Sequence, residues 1–304
     1  MKTRIVKWAG ITLCALTLLG VVALLGARLA STLRLGERFP VRDFEVPAIS
    51  TGEEAVAEGK RLFAARGCAD CHGLDGAGKV AIQDDLLGKV MGANLTSGKG
   101  GVGGRLSDAD FVRVLRSCVT PEGRSLVVMP CEETRLLADA EVAQLRAYVK
   151  SLPPVDHEVI PEQLTFVGHV LTGFGVLPIV SAARIDFDAP IPAAPPPAAT
   201  ATYGEHLAKV QCVGCHGEGL SGGRIPGAPP SMPIPANITP DKATGIGAWT
   251  RDQFVQLLQT GKRPNGTEVN SMMPWANFKH LNEQEMDALW AFLQTRPAKA
   301  FGGR

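Results

Sequence analysis

Hydrophobic positions along the chain fall into three patterns. From Trp8 to Ala27 there is no charged residue, and twenty helical residues reach about 30 Å, the thickness of a bilayer's hydrocarbon core. This run predicts a membrane-spanning helix within residues 1–30. A cleaved signal peptide fits less well, because its apolar region is usually about 7–15 residues long. The best small-residue cleavage site, before Ser31, also puts Arg28 where a small residue belongs. The second pattern is a helical stripe. Met286, Leu289, Trp290 and Leu293 fall at i, i+3, i+4 and i+7 of a helix predicted near 283–295, and Val142, Leu145, Tyr148 and Val149 repeat the stripe near 139–152. Both stripes are core faces. Further helices are predicted near 53–66 and 203–210. Two more start near Ser107 and Thr250, where Asp110 and Gln253 complete capping boxes. The third pattern is the apolar stretch 164–183, interrupted by His169, Gly173, Gly175 and Pro178. It lies in a linker that opens on Pro153-Pro154 and closes in a Pro/Ala run at 189–199. A second membrane span there would separate the flanking modules across the bilayer. The stretch is therefore expected to pack across the modules or to lie at the membrane surface.

Composition narrows this picture. With 34 Gly and 22 Pro the chain is loop-rich, and with few alternating β-branched runs it predicts no large sheet. A formal net charge of +1, with no basic run after the first few residues, gives no reason to expect nucleic acid as a partner. A length of 304 residues suits two ordinary domains, each with its own core. The expected division is an anchor at 1–30, a juxtamembrane linker at 31–52, a first domain at 53–152, a Pro-rich linker at 153–202 and a second domain at 203–304. Charge alone does not orient the anchor. Arg28, Arg34, Arg38 and Arg42 follow it and offset Lys2, Arg4 and Lys7 ahead of it.

The cysteines carry the chemistry. Of seven, four form Cys68-Ala69-Asp70-Cys71-His72 and Cys212-Val213-Gly214-Cys215-His216, the C-x-x-C-H pattern of covalent haem attachment. A zinc site or a redox dithiol would leave the His after each second Cys unexplained. The two motifs sit in a duplicated unit. Each is followed by Gly (Gly73, Gly217); Asn94-Leu95-Thr96 answers Asn237-Ile238-Thr239; Phe111 and Leu115 answer Phe254 and Leu258; Gly123 answers Gly266. Met129-Pro130 answers Met273-Pro274, and both His72–Met129 and His216–Met273 span 57 positions.

Two thiols per copy would add to the haem vinyl groups, and His72 and His216 would each take one axial position on iron. Met129 and Met273 are the candidate sixth ligands. A thioether there favours ferrous iron and leaves no open coordination position for a substrate. Met272 competes locally, but Met273 is the one followed by Pro. Met91 has no counterpart and reads as loop, and His157, His169, His206 and His280 recur at no equivalent positions and read as surface or packing residues. Cys118 and Cys131 are both absent from the second copy, where Gly261 and Trp275 stand. They read as a pair whose disulfide would hold the Met129 loop, at about 3 kcal/mol in the chain-entropy model. The alternative is that one of them is a haem ligand or a reactive thiol.

Both copies resemble class I cytochromes c, over about 200 of the 304 residues. The second half resembles most closely the dihaem cytochromes and cytochrome subunits that serve bacterial periplasmic dehydrogenases such as alcohol dehydrogenases. The runs Asn237-Ile238-Thr239-Pro240, Gly245-Ile246-Gly247-Ala248-Trp249 and Met273-Pro274-Trp275 carry most of that resemblance. The first half departs from it, with Arg105 in the place of Trp249 and with the extra cysteine pair. The layout also resembles the dihaem subunit of cbb3-type oxidases, without a specific signature of it. The resemblance implies an all-α fold, with two tandem class I cytochrome c domains after an N-terminal transmembrane helix. It implies two covalent haem c groups outside the bacterial cytoplasmic membrane, in the periplasm. The implied partners are redox proteins: a periplasmic dehydrogenase, a terminal oxidase or a soluble cytochrome. The alternative expectation is a dihaem enzyme, a peroxidase or thiosulfate-oxidising cytochrome, which would need an open or unusually ligated iron.

Overall fold

A computed structural model describes residues 2–160, 162–226, 228 and 232–304. Helix α1 (Lys2–Leu35) holds the uncharged run and continues past the expected end at residue 30. Its apolar side chains are exposed along most of their length, Leu18 and Leu25 among them, and the chain is not folded over them. In length and composition α1 can cross a membrane.

The first copy comprises α2 (Glu53–Ala65), α3 (Cys68–His72), β1 (Val80–Asp84), β2 (Gly88–Met91), α4 (Asp108–Ser117), α5 (Cys131–Thr134) and α6 (Asp139–Ser151). The connecting segment contributes β3 (Glu162–Leu164), α7 (Phe166–Gly173) and a 3-10 turn at Ser181–Arg184. The second copy comprises α8 (Ala201–Gln211), α9 (Val213–His216), α10 (Arg251–Thr260), α11 (Trp275–Phe278) and α12 (Glu283–Thr295). The two middle helices start where side chains satisfy their orphan N–H groups. Ser107 and Thr250 accept from the backbones of Asp110 and Gln253, whose side chains answer back. Asn282 with Glu285 starts α12 in the same way.

Each copy is framed by a crossing of its first and last helices, α2 on α6 and α8 on α12. Glycine permits the close approach. A Cβ at Gly59 would collide with the Gln144 carbonyl, and one at Gly204 with the Ala288 carbonyl. The predicted stripes supply the cores. Val142, Leu145, Tyr148 and Val149 are buried beside Leu62 and Phe63, and Met286, Leu289 and Leu293 beside Leu207 and Phe254. Trp290, the remaining residue of the second stripe, is only partly buried, its ring tilted 38° against Phe254 at 5.5 Å.

The expectation of a purely α-helical chain needs correction. A three-stranded antiparallel sheet, in the order β1-β2-β3, flanks the first copy. Asp84 Oδ1 accepts from the backbones of Leu86 and Leu87, and Gly88 takes a left-handed φ of 114°, closing the β1–β2 hairpin. Residue Met91, read as loop, closes β2. The linker supplies the third strand, pairing Leu164 with Gly88. The apolar stretch beyond it forms α7, eight residues and about 12 Å long, packed along α1. It is too short to cross a membrane.

Candidate haem sites

In the first copy α2 ends at Arg66, and Gly67 turns the chain at a φ of 75° into α3. This one turn presents Cys68, Cys71 and His72, and Gly73 (φ 73°) turns the chain away again. In the second copy α8 runs through Cys212 into α9, which ends in His216 and the equivalent Gly217 (φ 80°). The imidazoles are held alike. His72 Nδ1 lies 2.8 Å from the Ala93 carbonyl, and His216 Nδ1 lies 2.7 Å from the Ala236 carbonyl. A carbonyl only accepts, so each Nδ1 carries the proton and each Nε2 keeps its lone pair for a metal. Burial pushes both imidazoles below their ordinary pKa, with the carbonyl contact opposing, so both stay neutral and ligand-competent.

The residues after those carbonyls explain the N-x-T repeat, for which the sequence suggested no role. Asn94 donates to the Val155 and His157 carbonyls, while its Oδ1 accepts from the Thr96 backbone and hydroxyl. Asn237 donates to the Thr244 hydroxyl and the Lys299 carbonyl, and accepts from Thr239 in the same two ways. All four side chains are buried. Each Asn–Thr pair ties the loop beneath the histidine to the chain that leaves its own domain, fixing the carbonyl on which the imidazole rests. The recurrence of Asn and Thr at matched positions in both copies was the sequence signal that the pair matters, though not of what it does.

A cavity of about 370 Å³ opens in the first copy, lined by Cys68, His72 and Met129 together with Phe63, Leu95, Phe111 and Leu145. Protein interiors rarely leave voids larger than a water molecule, so an apolar space of this size fits a bulky prosthetic group. A histidine, a methionine and an attachment cysteine on its walls suit haem c. Arg105, which stands where the second copy has Trp249, also lines it. His157, His169, His206 and His280 do not. His157 faces the Ala77 carbonyl and His169 faces Ser31. Burial pushes the attachment thiols Cys68 and Cys212 up to about 12, so neither is a thiolate in the folded chain.

Cys118 and Cys131 are joined, with Cα atoms 5.8 Å apart. This bond secures the chain around Met129, which packs between the first core and the disulfide cluster. It also removes both sulfurs from the pool of alternative ligands. In the second copy Met273 packs against the core, whereas its neighbour Met272 is 57% exposed.

The two copies face each other through their attachment helices. Asn277 of α11 donates to Asp70 of α3 at 2.5 Å, and the equivalent α5 brings Glu133 against Gly214 of α9. Between them Arg66, buried at the end of α2, bonds Glu141 of α6 at 2.5 Å and Glu285 of α12 at 2.6 Å. Arg61 adds a second bond to Glu285 at 2.6 Å. Each short helix that follows a candidate methionine thus rests on the haem-attachment helix of the other copy.

Fold, motif geometry and cavity define c-type cytochrome modules, and comparison with known proteins agrees. Residues 56–153 match the family described as Cytochrome c, and residues 199–293 match Cytochrome C oxidase, cbb3-type, subunit III. The chain therefore contains two cytochrome c domains, which implies haem c as the cofactor. It is 32% identical over 288 residues to the fructose dehydrogenase cytochrome subunit of Gluconobacter japonicus, covering 84% of this chain and 55% of that one. Over 94 residues it is 35% identical to the gluconate 2-dehydrogenase cytochrome c subunit of Pantoea cypripedii, covering 29% of this chain and 21% of that one. Over another 94-residue match it is 34% identical to the alcohol dehydrogenase (quinone) cytochrome c subunit of Gluconobacter oxydans, covering 29% of this chain and 20% of that one. The chain thus spans at most about half the length of these curated relatives.

Proposed function

We propose that this chain is an electron-transfer protein with two covalently attached haem c groups. In this reading α1 anchors it in the bacterial cytoplasmic membrane, and both haem domains lie on the periplasmic side. Haem c supplies a one-electron ferric/ferrous couple. Cys68, Cys71, Cys212 and Cys215 tether the groups. His72 and His216 would serve as proximal ligands, kept neutral by burial and oriented by the Ala93 and Ala236 carbonyls. Met129 and Met273 would supply the thioether ligands that leave no iron position open to substrate. The attachment helices α3 and α9 both lie at the domain interface, so groups tethered to them would be positioned to exchange electrons. Names of relatives suggest the donor, a dehydrogenase acting on a sugar or alcohol. A respiratory acceptor such as a terminal oxidase, directly or through a soluble cytochrome, would receive the electrons.

The observation that carries this reading is the cavity bounded by Cys68, His72 and Met129. The joining of Cys118 to Cys131 removes the sulfur ligands on which a catalytic dihaem enzyme would have depended. The test is the intact mass and reactivity of the protein isolated from membranes. Two haems per chain, with no carbon monoxide bound on reduction and no peroxide turnover, support an electron carrier. A single haem, or peroxide turnover, contradicts it.

A further inference from the structure

Helix α7 lies antiparallel against the outer end of α1. His169 Nδ1 meets the Ser31 hydroxyl at 2.9 Å, and one turn further along α7, Gly173 lies so close to the Ala27 carbonyl that a Cβ there would overlap it. Moving from His169 to Gly173 therefore means moving back along α1 from Ser31 to Ala27. Ala27 is the last residue of the uncharged run, and Arg28 follows it. Arg34 reaches back along the pair to donate to the Thr172 carbonyl at 2.9 Å. Past Gly173 the chain reverses. Val176 N–H donates to the Leu171 carbonyl at 2.9 Å, and Gly175 takes a left-handed φ of 75°. The apex of that reversal exposes two large apolar side chains, Phe174 at 57% and Val176 at 50%.

We infer that the Phe174–Val176 turn is a second membrane contact, inserted into the periplasmic face of the bilayer beside α1. The inference rests on the proposal that α1 spans the membrane. Its further content is depth: the turn lies level with the end of the uncharged run, where α1 leaves the hydrocarbon. Its apolar surface continues that of α1, which exposes Leu25 and Leu29 at the same height. Lipid is therefore the occupant that fits. Interfacial segments of this kind bury apolar side chains about 5–10 Å into the headgroup–acyl boundary. The contact also has a downstream consequence. After the turn, the Ile179 carbonyl accepts from Val128 N–H at 2.9 Å, and Val180 pairs with Val127, directly ahead of Met129. The first domain is thus held at a set height by the segment that buttresses its ligand loop.

The test uses the full holo chain, with Cys14→Ser removing its one thiol outside the haem motifs and the disulfide. A nitroxide is attached at Phe174→Cys, Val176→Cys or, as reference, Leu18→Cys. The protein is reconstituted in phosphatidylcholine/phosphatidylglycerol vesicles, and the relaxation due to the haems alone is recorded under argon without nickel and subtracted. Spin relaxation by lipid-soluble oxygen is compared with relaxation by an aqueous nickel chelate. The expected result is oxygen-dominated relaxation at all three positions, with 174 and 176 about 5–10 Å below the headgroups and Leu18 deeper. Nickel-dominated relaxation at 174 and 176 with Leu18 still in lipid would overturn the inference alone, and would assign the turn to a partner protein. Nickel-dominated relaxation at Leu18 as well would overturn the anchor itself.

Discussion

Cys118 adopts a left-handed φ of 57°, the conformation that Gly261 adopts at φ 70° in the second copy. For a non-glycine residue this costs about 1–2 kcal/mol. The two copies solve one problem, tying the ligand loop to the end of the middle helix, with different chemistry. In the first copy the tie is the disulfide. In the second, the Trp275 indole lies over Gly261 so closely that a Cβ would come within 2.7 Å of the ring. Replacing both cysteines (Cys118→Ser with Cys131→Ser) is expected to lower stability by about 3 kcal/mol, measured by denaturant titration of the first domain's haem absorbance. Gly261→Ala should be worse than its small volume suggests. It forces a left-handed alanine against Trp275, costing about 1–3 kcal/mol in thermal unfolding and displacing Met273, seen as a weakened methionine–iron band. Asn237→Ala tests the clamp beneath His216. Loosening the Ala236 carbonyl makes His216 a weaker donor to ferric iron, so the second haem's potential should rise while the first is unchanged, as redox titration would reveal. The C-x-x-C-H motifs and the matched methionine positions stand out in the sequence because duplication repeats them at equal spacing. The clamp's role does not, because its partners Val155 and Lys299 are backbone carbonyls outside the repeated motifs.

Helices were the legible elements, since α6 and α12 each bury one apolar stripe and the middle helices carry their capping residues. The sheet was not. Its strands are short, and β1 is mostly exposed, so no alternation of apolar positions marks it. It exists because β3 arrives from the linker, a pairing that local pattern does not encode. The third residues of α6 and α12, Glu141 and Glu285, cap their helices and also converge on Arg66. Burial alone would push Glu285 upward, but the guanidiniums of Arg66 and Arg61 outweigh it and hold the carboxyl below its ordinary value near 4.5. A depressed carboxyl stabilises the fold fully above that ordinary value, and the contribution is lost as pH falls through the lowered one. The domain interface should therefore loosen only in acid below about pH 4.5, detected as interdomain hydrogen exchange at α8 and α12. Glu285→Ala should loosen it at neutral pH, at about 3 kcal/mol, because it removes one partner of a buried pair.

Seen whole, the molecule is a duplicated cytochrome c module in which each copy supports the other. The second of each pair of short helices follows a candidate methionine and rests on the opposite attachment helix. Duplication was visible in the sequence. The reciprocal arrangement was not, because residues such as Asp70 and Asn277 meet only after both domains have folded. The central claim is that both irons are closed by histidine and methionine, so that the chain transfers electrons and does no chemistry on a substrate. The measurement that tests it most directly is a redox-titrated optical spectrum of the holo protein, following the methionine–iron charge-transfer band of the oxidised state. Two haems' worth of that band, with a half lost in each of Met129→Ala and Met273→Ala as carbon monoxide binding appears, is the predicted result. One haem's worth in the unaltered protein, or an iron that binds carbon monoxide without any substitution, would contradict the account.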